Sequence, residues 1–68
     1  MADDDKWAVL ELTGDRTTAG LIVESDVENL FQIDIPIGET EFRTEYYSYN
    51  AIFKIKIVSE EIARSIIQ

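Results

Sequence analysis

The 68-residue chain contains no cysteine and no histidine. Without cysteine it can form no disulfide, and without either residue it lacks the usual ligands of a zinc site. The same absence removes cysteine nucleophiles and the serine–histidine pairs on which covalent catalysis commonly depends. We therefore expect a protein that is not an enzyme and that has no metal site and no cofactor.

Basic residues are also scarce, with 6 lysines and arginines against 14 acidic residues and a net charge of −8. Because DNA, RNA and anionic membranes attract proteins through lysine and arginine, we expect this chain to bind none of them. A small anionic ligand stays open, since a few convergent donors can hold one. No apolar run approaches the roughly 20 residues of a membrane span, and no signal peptide is recognisable. The expected location is the cytoplasm.

The length indicates a single small domain over 1–68, with a frayed acidic segment at 1–5. A domain of this size is marginal on its own and usually adds disulfides, a metal or self-association. Since disulfides and a metal site are not expected, the hydrophobic share of 46% favours a homo-oligomer, either a dimer or a tetramer.

Alternating apolar and polar residues predict five strands, at 6–13, 17–24, 29–35, 40–47 and 51–58. Ser59 is a predicted N-cap, and Ile62, Ala63, Ile66 and Ile67 then recur at helical spacing. Short connections favour antiparallel neighbours. The predicted fold is mostly β, of the α+β class: a five-stranded antiparallel bent meander or small barrel with a short C-terminal helix.

Side-chain alternation also predicts which residues face the core. Phe53, Ile55 and Ile57 are expected to face inward, and Gln32 outward. The first strand is apolar on both faces, which predicts a second buried surface. The residues expected to form an interface between copies are Trp7, Val9, Ile62 and Ile66. Gly20, inside the second strand, predicts a bulge or a close backbone approach.

The segment T-E-Y-Y-S-Y-N at 44–50 contains every tyrosine of the chain. Tyr46, Tyr47 and Tyr49 fall on both faces of a strand. They are interpreted with equal weight as core residues with hydroxyls at the rim or as platforms on which nucleobases stack. Asn50 offers a donor and an acceptor to a base edge.

Two residues near the first turn complete the candidate ligand site. Arg16 has a planar fork that suits a phosphate, and Glu11 could accept a hydrogen bond from a base or a ribose. The other arginines are expected to form surface pairs, Arg43 with Glu41 and Glu45, and Arg64 with Glu60. No carboxylate pair stands out as catalytic, because solvated charge is the common state of acidic side chains.

Four segments, W-A-V-L-E-L-T-G-D-R-T-T-A-G, I-D-I-P, T-E-Y-Y-S-Y-N-A-I-F and V-S-E-E-I-A-R, resemble in order a widespread family of very small phage and prophage proteins. The family pattern runs W-A-x-x-E-x-x-G-H-R, a glycine, R-I-D-I-P, T-Q-Y-Y, A-I-Y and S-E-E-x-A-R. The positions that match it are Trp7, Glu11, Gly14, Arg16, Gly20, Tyr46, Tyr47, Ala51 and Ile52. Asp15, Glu45 and Phe53 depart from it, standing where the family often has His, Gln and Tyr.

This resemblance extends to the phage nucleotide sponges, which oppose the antiphage signalling system CBASS. It implies a homo-oligomer in the bacterial host cytoplasm that binds a cyclic dinucleotide or trinucleotide and sequesters it without cleavage. The two added acids would weaken phosphate binding or change which messenger is bound. The alternative is an acidic phage module that inhibits a host defence protein, in one version by imitating DNA, although acidic charge more commonly serves solubility alone.

Overall fold

The computed structural model describes residues 6–67. Its elements are β1 (Lys6–Leu12), β2 (Arg16–Val23), β3 (Leu30–Pro36), β4 (Phe42–Ser48), a 3-10 helix (Tyr49–Ala51), β5 (Ile52–Val58) and α1 (Glu60–Ile67). The strands form one antiparallel sheet in the order β4-β3-β2-β1-β5. The predicted α+β class, with five antiparallel strands and a short C-terminal helix, is confirmed. The expected fraying of 1–5 lies outside the described residues.

The fifth strand pairs with β1 and not with its sequence neighbour β4. The chain passes from Ser48 to Ile52, between the two outermost strands, through the 3-10 helix alone. Four Cα steps span at most about 15 Å, whereas the outer strands of a flat five-stranded sheet would lie about 19 Å apart. The open sheet must therefore curl so that its two edges approach each other at this end.

Both faces of β1 are buried, because its alternate residues belong to two different apolar clusters. Trp7 and Val9 pack with Ala19 of β2 and Ala63 of α1. The next residues in the alternation enter a second cluster, whose buried members are Leu10, Leu12, Ile33 and Ile35. The second buried surface predicted from the sequence is therefore present, and the chain's own helix covers it.

The second strand approaches β3 closely at Gly20. A Cβ atom built there would collide with the carbonyl oxygen of Asp34 and would lie 3.1 Å from Cγ1 of Ile33. Only glycine leaves room for this contact, which confirms the close approach predicted for this position.

The C-terminal helix begins as predicted, with Ser59 accepting a hydrogen bond from the backbone N–H of Ile62 at 3.2 Å. Arg64 then fastens the helix to the β3–β4 turn. Its guanidinium donates to the carbonyl oxygens of Gly38 and Glu39 at 2.9 and 3.2 Å. No helix among residues 6–67 is long and apolar enough to cross a membrane.

The burial predicted for three side chains of β5 is wrong. Phe53, Ile55 and Ile57 are 77%, 43% and 59% exposed. Ile55 and Ile57 do share a face with Leu10 and Ala8, but β5 is the edge of the sheet, and no side chain from residues 6–67 covers that end of the face. Gln32, predicted to face outward, is buried, and its Oε1 accepts a hydrogen bond from the backbone N–H of Asp26.

Candidate functional site

The three tyrosines point to different surroundings. Tyr46 and Tyr47 are neighbours in β4 and therefore face opposite sides of the sheet. Tyr46 lies opposite Gln32 and is 40% exposed. Tyr47 lies opposite Phe31 and packs against the Leu10–Leu12–Ile33–Ile35 cluster. One ligand cannot stack on both rings, so the predicted three-tyrosine platform is not assembled.

Tyr47 has a largely structural environment. Its hydroxyl donates a hydrogen bond to the carboxylate of Glu45. Partial burial, together with this hydrogen bond, raises the pKa of Tyr47 to about 12. The hydroxyl therefore stays neutral at physiological pH, and its proton is already committed to Glu45.

Tyr49 is the tyrosine that borders an open groove. Its ring lies 6.3 Å from that of Phe31 in an edge-to-face arrangement, and it is 60% exposed. The groove has a volume of about 390 Å³, and we call it the β5 groove; it is lined by Phe31, Tyr49, Ile52, Phe53, Lys54 and Ile55. Three aromatic side chains and one lysine suit a planar, negatively charged ligand.

Glu11 and Arg16 come together in a second depression, at the β1–β2 turn. This turn pocket has a volume of about 480 Å³ and is lined by residues 11–17 and by Phe53. Gly14 and Asp15 both adopt positive φ angles, 82° and 59°, which the tight turn requires. Because Phe53 lines both the turn pocket and the β5 groove, the two depressions are adjacent, and we treat them as one candidate site.

The basic side chains differ in whether they form ion pairs with carboxylates. Arg43 and Lys56 are paired with carboxylates, at 2.9 Å to Glu45 and 3.0 Å to Glu11. Arg64 is paired with Glu60, as predicted. Arg16 and Lys54 form no ion pair within residues 6–67, so these two side chains of the candidate site are available to an anion.

The carboxylate of Glu11 is only partly available to a ligand. The hydrogen bond from Lys56 lowers its pKa, although partial desolvation opposes this effect. Glu11 is therefore ionised at neutral pH. It can accept a hydrogen bond at the wall of the turn pocket while its other contact holds Lys56.

The other residues predicted for the ligand site or for an interface lie outside the two depressions. Asn50 is exposed beside Tyr49 but does not line the groove. Ile62 and Ile66 are 48% and 43% exposed on α1 and remain candidates for an interface. Trp7 and Val9 are each only 6% exposed, so they cannot form a surface contact in this conformation. Their burial under Ala63 removes the reason for placing them between copies.

The cavity beside α1 and the β3–β4 turn, of about 700 Å³, is larger than either part of the candidate site. Its cation is Arg64, which is already bonded to Glu60 and two backbone carbonyls. The cavity therefore offers no unpaired basic side chain. No cluster of metal-ligating side chains occurs among residues 6–67.

Comparisons with protein-family models, curated proteins and solved structures found no match to this chain. The family resemblance of the sequence therefore stays a prediction. Three residues of the candidate site were missed by reasoning from the sequence, namely Phe31, Phe53 and Lys54. One signal was present for Phe53, because an aromatic residue stands there in the resembled family too.

Proposed function

We propose that this protein is a phage-encoded binding module that sequesters a cyclic oligonucleotide in the cytoplasm of the bacterial host, without cleaving it. The observation that supports the proposal is the exposed ring of Phe53. It stands between an aromatic groove with Lys54 and a turn pocket with Arg16. A largely exposed phenylalanine between two unpaired cations is suited to a ligand that combines bases with phosphates.

Each part of the site contributes a different interaction. Bases stack on the aromatic side chains of the β5 groove, and base–aromatic stacking commonly contributes about 1–3 kcal/mol per base. Phosphates lie near Arg16 and Lys54, where charge-assisted hydrogen bonds are strong. Both depressions are open, so the ligand is bound across a surface, and a second copy of the protein would be needed to enclose it.

The family resemblance narrows the ligand class to cyclic dinucleotides and trinucleotides. The acidity of the protein disfavours polymeric nucleic acid. A longer strand would bring more phosphates close to the acidic surface of a chain with net charge −8, and each of them would be repelled. A small cyclic ligand brings only two or three phosphates, which can lie near Arg16 and Lys54. We therefore expect it to bind where a longer strand is repelled.

The exposed acidic connection between β2 and β3 supports a second candidate function. Glu24, Asp26 and Glu28 are all exposed there, and they offer negative charge to a basic host protein. A salt-sensitive complex with a host nuclease, together with no nucleotide binding, would favour this inhibitor over the sponge.

The test is calorimetric titration and thermal melting with a panel of cyclic dinucleotides and trinucleotides. A ligand that binds only the folded state raises the melting temperature. We expect one messenger to bind, to be recovered intact afterwards, and to bind at least tenfold more weakly to Arg16→Ala. Arg43→Ala is the matched control, because Arg43 is paired with Glu45. The absence of binding by every messenger at tens of micromolar would refute the proposal.

A further inference from the structure

The outer edge of β5 is unpaired and carries a row of exposed apolar side chains. Within residues 6–67, β5 is bonded to β1 on one side only. The sequence Phe53-Lys54-Ile55-Lys56-Ile57 places three exposed apolar side chains along this edge. An exposed edge strand with such a row is a ready template for a further strand.

The opposite edge of the sheet is protected. On β4, Arg43 pairs with Glu45 at 2.9 Å, and the hydroxyl of Thr44 donates to the Asp34 carboxylate at 2.7 Å. Charged side chains with fixed partners hinder the addition of a strand. The β5 edge also carries two lysines, and Lys56 is paired with Glu11 at 3.0 Å. Its apolar row is nevertheless more exposed than Phe42 and Tyr46 of β4, at 38% and 40%, so β5 is the edge better suited to pairing.

The β5 edge is complementary to itself. When two copies of β5 run antiparallel about Ile55, Ile55 faces Ile55 and Phe53 faces Ile57 of the second copy. Ile55 and Ile57 of both copies then lie on one face of the new pair, and Phe53 stands at the bulge where the register with β1 shifts. Lys54 and Lys56 lie opposite each other on the other face, where Glu11 of each copy adjoins them.

The charge distribution favours a second copy at this edge over other surfaces. The chain carries 14 acidic residues, and none of them lies in β5. Two copies of a molecule with charge −8 repel each other least where neither presents acids. The repulsion between lysines across the pair is offset by the two Glu11 carboxylates.

We propose that two copies of this protein associate through β5, paired antiparallel about a two-fold axis at Ile55, to form one ten-stranded sheet. This inference does not depend on nucleotide binding. It moves the interface from Trp7 and Val9 to the edge of the sheet. It also places Ile57 of the second copy beside Phe53, so that each β5 groove gains a wall from the other copy.

The first test is the molar mass in solution by sedimentation equilibrium. A standard interface buries about 800 Å² per partner, roughly one sixth of the 4792 Å² accessible surface of the described chain. One strand provides less than this, so we expect a dimer that forms at micromolar concentrations. Ile55→Lys places two lysines on the axis and should make the protein monomeric.

Ile62→Lys is the matched control, because it makes the same change at a similarly exposed helix position. It should leave the dimer unchanged. A monomeric wild-type protein at about 300 μM would overturn the proposal. So would a dimer that Ile62→Lys dissociates and Ile55→Lys does not.

Disulfide trapping tests the register and remains informative if Ile55→Lys fails to fold. The chain has no cysteine, so a single Ile55→Cys substitution can cross-link only to another copy. Directly paired antiparallel residues have Cα atoms about 4.5–5.5 Å apart, which a disulfide can bridge. Ile57→Cys is the control. In the proposed register, position 57 faces position 53 of the second copy, so the two cysteines at position 57 lie four residues, or about 13 Å, apart along the strands.

We expect rapid oxidation of Ile55→Cys to a dimer and slow oxidation of Ile57→Cys. Equal rates, or a faster reaction of Ile57→Cys, would overturn the two-fold register. Binding of the cyclic nucleotide panel to the wild-type protein, measured beside its molar mass, separates this proposal from the sponge. Nucleotide binding by a monomeric wild-type protein would overturn the dimer alone, and a dimer that binds no nucleotide would overturn the sponge alone.

Discussion

At the scale of single residues, predictions from the sequence succeed where the backbone itself imposes a requirement. Gly14 lies between the first two predicted strands and has the positive φ that a tight turn there needs. Gly20 was predicted at a close approach and touches the backbone of Asp34. Burial of the β5 residues was not predictable in the same way. The alternation of side chains along a strand shows which face of the sheet each one lies on, as for Ile55 beside Leu10. It does not show whether another element covers that face.

Gly20→Ala is expected to destabilise the protein by about 1–3 kcal/mol, as overpacked substitutions do. The reason is that the added Cβ meets backbone atoms of Asp34 and the side chain of Ile33, none of which can move freely. The measurement is the free energy of unfolding in urea, followed by fluorescence of the single tryptophan.

Gly38→Ala is the control for this substitution. A Cβ atom at Gly38 would lie 3.9 Å from the nearest atom of Glu41, which is ordinary contact distance. We expect it to leave stability unchanged or to raise it by up to about 1 kcal/mol, through the unfolded state. Equal losses for the two variants would contradict the close approach of β2 and β3.

At the scale of elements, the helix start at Ser59 and all five strands were predictable, because capping and alternation are local signals. The partner of β5 was not, because it depends on how far the sheet curls. The candidate site shows the same limit. Arg16 and Tyr49 were identified from their side-chain chemistry, but Phe53 joins their surroundings only through the pairing of β5 with β1.

The attachment of α1 to the β3–β4 turn depends on Arg64. Its guanidinium also lies over the rings of Trp7 and Phe42, at 5.3 and 5.9 Å from their centroids. Arg64→Met keeps an apolar stem but removes the bonds to two carbonyl oxygens and to Glu60. Since hydrogen bonds to a charged group contribute about 1.5–3 kcal/mol, we expect a loss of about 2 kcal/mol in the free energy of unfolding.

The matched control is Arg43→Met on β4, whose partner Glu45 forms an exposed ion pair. Such pairs contribute little, so the change should stay within about 0.5 kcal/mol. The Arg64 side chain is only 24% exposed, against 54% for Arg43, which is why the two arginines should differ. A loss for Arg43→Met as large as that for Arg64→Met would contradict this assignment.

At the scale of the whole molecule, composition predicts an association, and the pattern of β1 assigns it to residues that the structure buries within one chain. The chain was expected to self-associate because it is small and rich in apolar residues. The two apolar faces of β1 looked like an interface, but α1 covers Trp7 and Val9 within one chain. The exposed apolar row lies on β5 instead, and only the complete topology shows that β5 is an edge.

Net charge gives the proposed association a definite salt dependence. Two copies each carry a charge of −8, and the screening length falls from about 10 Å at 0.1 M salt to about 3 Å at 1 M. Salt should therefore weaken the repulsion between the copies more than it weakens the apolar contacts of β5. We expect the dissociation constant of the dimer to fall as sodium chloride is raised, measured by sedimentation equilibrium.

A different occupant of the β5 edge, an acidic strand from another protein bound to Lys54 and Lys56, would show the opposite salt dependence. Its binding would weaken with added salt, because salt screens the attraction between unlike charges. Lys54→Gln adds a control on the same edge. It removes both contacts between Lys54 and Lys56 across the two-fold axis, so it should tighten the dimer at low salt and make little difference at high salt. A dimer that weakens steadily with added salt would show that attraction between opposite charges holds the copies together, and the β5 pairing would have to be abandoned.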